Sequence, residues 1–117
     1  MQDDQMSSAM QQCIQNCKDC HAICVQTVTY CLQQGGQHAQ ASHIQSLLDC
    51  AQACLTSEDF MLRNSPLHPK ACGLCADACN RCAQSCEQIG ANDAQMQACA
   101  SMCRRCAQSC QQMAAMA

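Results

Sequence analysis

Small apolar side chains recur along this chain at intervals of three, four and seven residues, and polar ones fill the gaps. The stretch CADACNRCAQSC at 75–86 shows the pattern, with a cysteine on every turn and Asp, Asn, Arg, Gln and Ser between. At about 100° per residue, each run of such positions collapses onto an arc of roughly 80° or less on one helix face. A strand needs a period of two, and no C-C or C-x-C step occurs, so the pattern predicts helices. Turn formers separate the runs. QQGGQ at 33–37 ends the first helix, with Gly35 or Gly36 as the stop. NSPLHPK at 64–70 parts the second from the third, a proline being tolerated in a first helical turn. GAND at 90–93 parts the third from the fourth: Gly90 closes one helix, and Asn92, with Gln95 three residues on, caps the next. The expected helices span 4–34, 41–63, 66–89 and 92–115. Connections this short make sequential helices antiparallel. The expected fold is therefore all-α, an antiparallel up-down-up-down four-helix bundle forming one domain over residues 1–117.

Composition changes what such a bundle is made of. The inward positions are held by sulfur: Cys13, Cys17, Cys20, Cys24 and Cys31, then Cys50 and Cys54, then Cys72, Cys75, Cys79, Cys82 and Cys86, then Cys99, Cys103, Cys106 and Cys110. The unit C-x3-C-x2-C-x3-C occurs three times, at 13–24, 75–86 and 99–110, and the last two copies share R-C-A-Q-S-C. Helix 2 is poorest in sulfur, and its inward stripe reads His43, Leu47, Cys50, Cys54, Ser57, Met61. The cysteines are expected to line one long tube along the bundle axis.

Charge narrows the classes of function. A formal net charge of -3 leaves no basic footprint for nucleic acid. No apolar run approaches the ~18 residues of a membrane span. The start, MQDDQMSSAM, is acidic and polar and does not read as a targeting segment, so the expected location is cytoplasmic.

Sixteen converging thiols call for a reason. Leu or Ala would fill a core as well without the oxidation hazard. Disulfides across one helical turn have poor dihedral geometry and close loops too short to stabilise much. Structural zinc prefers closed four-ligand sites built from C-x2-C knuckles on turns, whereas these pairs are mid-helix. The ferredoxin run C-x2-C-x2-C-x3-C-P is absent. Cu(I) is soft, takes thiolate and thioether ligands, and accepts low coordination numbers. Two thiolates per Cu(I) would leave net negative charge in a dry core. Thiolates that each bridge two coppers approach neutrality at ~1 Cu per Cys, or ~16 per chain.

The start of helix 1, the end of helix 2, the start of helix 3 and the end of helix 4 should share one mouth, bringing Met6, Met10, Met61, His68 and Met113 together. Met10, Met61, His68 and Met113 are the candidate uptake ligands there; His43, with Met96 at the opposite end, is a further candidate uptake ligand. His21 and His38 lie off the stripe and read as solvated. Second apolar stripes, Ile44, Leu48, Ala51, Leu55 and Leu62 on helix 2 and Ile14, Val25 and Leu32 on helix 1, point to self-association.

The threefold C-x3-C-x2-C-x3-C on four expected helices resembles the bacterial copper storage proteins, over about Cys13 to Cys110. The resemblance implies a bundle whose interior cysteines hold many Cu(I) ions, assembled as a homotetramer, of the kind that works in the cytosol. Leu47 and Ser57 depart from a full thiol lining on helix 2. Two other classes compete. A metallothionein-like buffer of zinc or heavy metals would be unfolded without metal and rich in C-x-C. A thiol-redox protein would need an activated thiol, and no nucleophile–base pair stands out along the chain. No enzyme is expected.

Overall fold

The computed structural model describes residues 7–116. Four helices account for nearly all of them: α1 (Ser8–Gln34), α2 (Ala41–Leu62), α3 (His68–Ile89) and α4 (Ala94–Ala114), with a short 3-10 turn at Gly36–Ala39. The molecule is a rod of 53 × 21 × 20 Å. Among the described residues no helix is long and apolar enough to cross a membrane.

Local chemistry sets the boundaries. Ser7 caps α1 by accepting the Met10 N–H at 3.1 Å; the expected residues 4–6 lie outside the described ones. Gly35 ends α1 with φ 72, a left-handed backbone that disfavours a side chain, and returns its N–H to the Cys31 carbonyl at 3.2 Å. Gly36 continues left-handed at φ 57, and the chain then makes the 3-10 turn where a plain loop was expected. Pro66 lies ahead of α3, in a turn that starts with left-handed Asn64 (φ 50), and Pro69 takes the place in the first helical turn. The expected cap at Asn92 is wrong by one residue. Asp93 has the extended backbone (φ -102, ψ 121), and its carboxylate accepts from the N–H groups of Gln95 at 2.9 Å and Met96 at 3.2 Å.

Side-chain contacts give the topology. Cys13 and Cys17 meet Cys110, while Cys20 and Cys24 meet Cys103, so α1 and α4 run in opposite directions. Cys31 meets His43 and Cys20 meets Cys50, which sets α2 antiparallel to α1. Ser57 reaches Ala71 and His43 reaches Ser85, which does the same for α2 and α3. Across the diagonal, Cys50 meets Cys103 and Cys54 meets Cys106, so α2 and α4 are parallel. This is the expected up-down-up-down bundle.

All sixteen cysteines are fully buried. So is the whole α2 stripe, His43, Leu47, Cys50, Cys54, Ser57 and Met61. Alanines flank the thiols: Ala76, Ala83, Ala100 and Ala107 are buried beside them on α3 and α4. Small flanking residues let helices approach closely, so the interior is one side chain wide and sulfur lines it. Polar pairs tie the seams. Buried Asn16 donates to Ser109 (3.0 Å) and accepts from Gln12 (3.1 Å), and Gln95 donates to buried Thr27 (3.0 Å), all between α1 and α4 or along α1.

Candidate metal centre

The thiols form a connected column. From one end, Cys13 touches Cys110 (3.6 Å), and Cys17 touches both Cys110 and Cys106 (3.8 Å each). Cys106 lies 4.0 Å from Cys54, which contacts Cys75 (3.8 Å) and Cys79 (3.9 Å). Cys79 is 3.4 Å from Cys50, and Cys50 is 3.7 Å from Cys20 and 3.8 Å from Cys103. Cys103 reaches Cys24 at 3.8 Å. All these thiols are free, and the shortest contact is far above the ~2.05 Å of a disulfide.

The column contains four-sulfur groups whose Sγ atoms all lie within 4.8 Å of one another. Five of them, in order along the axis, are Cys17, Cys75, Cys106, Cys110; Cys54, Cys75, Cys79, Cys106; Cys20, Cys50, Cys54, Cys79; Cys20, Cys24, Cys50, Cys103; and Cys24, Cys82, Cys99, Cys103. Each group shares two cysteines with the next. The shared pairs are Cys75 and Cys106, then Cys54 and Cys79, then Cys20 and Cys50, then Cys24 and Cys103. Thiolates arranged this way are placed to bridge adjacent metals. With metal–sulfur bonds near the ~2.3 Å of zinc, sulfurs on one ion lie ~3.8 Å apart in a tetrahedron and up to ~4.6 Å apart in a linear pair. The observed spacings accommodate both.

Electrostatics favour a soft cation over free thiolates. Burial pushes the Cys31 thiol up to about 11. Deeper in, neighbours divide the proton: Cys103, hydrogen-bonded to Cys20 at 3.7 Å, is held up, and Cys20, hydrogen-bonded to Cys103, is held down. One of two close sulfurs becomes anionic only while the other keeps its proton. A monovalent cation that replaces the protons removes that conflict.

The two departures on α2 have distinct outcomes. Ser57 is satisfied by donating to the Ala71 carbonyl at 3.0 Å, which pins α2 to α3. Leu47 is a fully buried hydrocarbon between His43 and Cys50. Thiols from α2 are confined to mid-length, where Cys50 and Cys54 join thiols of all three other helices. The column thus has four thiol walls at its centre and three toward its ends, with the Met61 thioether completing the α2 side at one of them.

The ends carry other donors. Met61 and Met113 are fully buried and Met10 nearly so, at the end where α1 and α3 begin. His68 is half-buried there, and its Nδ1 is shielded from solvent with no hydrogen-bond partner among the described residues. Met6 lies outside the described residues. At the opposite end the Cys31 Sγ is 3.3 Å from His43 Nε2 and 3.6 Å from Met96 Sδ. Ser85 sits 2.7 Å from His43 Nδ1 and fixes the ring so that Nε2 faces the sulfur. Burial lowers the His43 pKa, which keeps the imidazole neutral, the form that binds metal.

Sequence reasoning missed this Cys31–His43 pair. Its geometry resembles a nucleophile beside a base, but its electrostatics do not: the thiol is pushed up and the imidazole down, so no thiolate–imidazolium pair forms. The available signal was the repeated A-Q-S-C, whose serine, Ser85 or Ser109, touches the neighbouring helix in both copies. His38, expected in solvent, has its Nε2 3.2 Å from Asp93 Oδ2, and that oxygen also accepts the Tyr30 hydroxyl at 2.6 Å.

Fold and donor set together define a class, a helical bundle that carries soft metal inside on sulfur. Within that class the chain belongs to the copper storage protein (Csp) family, which it matches over residues 6–115. Three solved structures are similar. The Nmul_A1745 protein from Nitrosospira multiformis is 40% identical, with 96% of this chain and 100% of that one covered and a TM-score of 0.89. The Cu(I)-bound copper storage protein BsCsp3 is 34% identical, with 92% and 99% covered and a TM-score of 0.83. The apo form of copper storage protein 3 from Bacillus subtilis is 35% identical, with 89% and 97% covered and a TM-score of 0.80. A search of curated proteins finds no match.

Proposed function

We propose that this chain is a Cu(I) store that fills to ~1 copper per cysteine, with neighbouring coppers bridged by shared thiolates. The observation that carries the reading is the sharing of cysteine pairs between successive four-sulfur groups. Sites that share ligands fill as a continuous string rather than as isolated four-ligand cages. Family membership and the Cu(I)-bound relative support copper as the cargo. No catalytic role is assigned: all sixteen thiols are buried, and the one beside an imidazole is held protonated. A cytosolic location suits free thiols, because that compartment keeps them reduced. Anaerobic titration of the reduced protein tests the reading. Saturation near ~16 Cu(I) supports it, and saturation near ~4 metals in separate tetrahedral sites refutes it.

Copper enters, on this reading, at the end holding Met10, Met61, Met113 and His68. Thioethers bind Cu(I) without losing a proton, so they hand metal on to tighter thiolates. The unpartnered Nδ1 of His68 supports this, since a shielded imidazole nitrogen without a hydrogen bond is available as a donor. Copies of the chain associate through α1 and α2, where Val25, Leu32, Leu48, Leu55 and Leu62 are each between 41% and 56% exposed. Ile14 and Ala51, expected on that same face, are buried within the bundle instead. With the homotetramer that the resemblance implies in view, Leu48→Glu with Leu55→Glu should lower the sedimentation coefficient while helix content and copper capacity persist. A wild-type chain that sediments as a monomer at micromolar concentration would refute the interface.

A further inference from the structure

Asp93 sits where three segments meet over the end of the column. Its Oδ2 accepts from Tyr30 on α1 at 2.6 Å and pairs with His38 Nε2 in the 3-10 turn at 3.2 Å. Its Oδ1 accepts the N–H groups of Gln95 and Met96 at the start of α4. One carboxylate thus joins the end of α1, the α1–α2 connection and the first turn of α4. Tyr30 and His38 also meet edge to face, with ring centroids 6.0 Å apart.

Directly beneath lies Met96. Its backbone N–H is held by Asp93, and its thioether accepts the Cys31 thiol. It is wedged against Gly90, where an added Cβ would fall 2.5 Å from Met96 Cγ. Tyr30 precedes Cys31, so the same cluster orients the Cys31 sulfur that faces His43 and the Met96 thioether that accepts from it. The clamp itself is within reach of water: the His38 and Asp93 side chains keep 21% and 19% of their exposure. A depression of about 530 Å³, lined by His38 and residues 88–93, opens beside them. The apolar thioether and imidazole below are sealed; the polar clamp above is open to solvent or a partner.

We propose that Tyr30, His38 and Asp93 form a latch that keeps this end of the column shut by seating Met96 on Cys31, so that its opening sets how fast metal or reagents pass the Cys31–His43–Met96 donors. The proposal rests on the storage reading for the identity of the cargo, but the latch itself is tested without metal. Tyr30 and Asp93 act as positioning residues, since neither touches the sulfur column with its side chain in the described contacts.

The test uses reduced, metal-free full-length protein and iodoacetamide, with the labelling rate of each cysteine followed by mass spectrometry. Tyr30→Phe removes the hydroxyl donor. Asp93→Asn keeps a helix-capping side chain but removes the charge. Each should raise labelling of Cys31 by about 10-fold, the weight of one hydrogen bond to a charged group. Cys13 and Cys72, at the far end, should keep their rates. His38→Gln, which retains a donor, should sit closer to wild type than His38→Ala. If Cys31 labelling is unchanged in a variant that remains helical, the latch is wrong. If all sixteen cysteines speed up together, the cluster only staples the fold and the latch is again wrong. Copper capacity of the unaltered protein is measured separately, so failure of the storage reading would appear there and not in these rates.

Discussion

The two ends of the column solve one problem, closing a tube of thiols, with opposite chemistry. The end where α1 and α3 begin is closed by hydrocarbon and thioether: Met10, Met61 and Met113 are buried there, and His68 leaves a shielded nitrogen without a partner. Where α2 and α4 begin, hydrogen bonds do the closing. Ser85 holds His43, Asp93 holds Met96, and Tyr30 and His38 hold Asp93. Methionine is flexible and adapts its packing, whereas a network in which each polar group is satisfied admits one arrangement. The soft end suits passage and the hydrogen-bonded end suits closure, although both are built on the same helices.

The largest expected difference is kinetic. Replacing Met10, Met61 and Met113 by Leu and His68 by Ala should slow Cu(I) loading by about 10-fold or more, the scale on which lost ligand support weakens metal sites. Final stoichiometry should fall only slightly, because the thiolates remain. His43→Leu with Met96→Leu should slow loading less. Stopped-flow loading under anaerobic conditions checks this, and equal rates for the two sets would abolish the distinction between the ends.

A second expectation concerns stability. Gly90→Ala forces a side chain into Met96 and Asp93, whose Cβ atoms lie 2.8 and 3.0 Å from the new position, and should cost about 1–3 kcal/mol in denaturant unfolding. Gly73→Ala, at the soft end, meets only the Ala114 Cβ at 3.7 Å and should be tolerated. Equal losses would show that both ends are packed alike.

Smaller still is the effect of Ser85→Ala, which leaves His43 Nδ1 buried without a partner and should cost about 1 kcal/mol or a little more. The metal-free fold should also weaken in alkali. The Cys31 thiol is shifted from 9.0 to about 11, so its contribution is complete below pH 9 and is lost as pH rises through that window, when the unfolded thiol ionises first. Chemical unfolding at pH 7, 9 and 11 measures this, with midpoints expected to fall in that order.

The sequence revealed what periodicity controls. The α2 stripe from His43 to Met61 is buried residue for residue, because a strict three-four spacing admits only one inward face. It was silent on what tertiary contact controls. Tyr30 and Asp93 are 63 residues apart, and no spacing rule joins them. His38 lies in a 3-10 turn, where the helix-face logic that expects it in solvent has no hold. Asn92 and Asp93 are both good caps, and the choice between them depends on which residue the loop leaves extended. Ile14 and Ala51 joined the core because flanking positions of a narrow bundle are covered by the neighbouring helix.

A preformed column of buried thiols with shared ligands behaves differently under titration from a set of separate sites or from a chain that folds on metal. Reduced, metal-free protein is titrated anaerobically with Cu(I) while circular dichroism and proton release are followed together. The column should give a helical spectrum before any metal, little change during loading, and ~1 proton released per copper up to ~16 copper ions. A random-coil spectrum that becomes helical only with metal, or saturation near ~4, would contradict it.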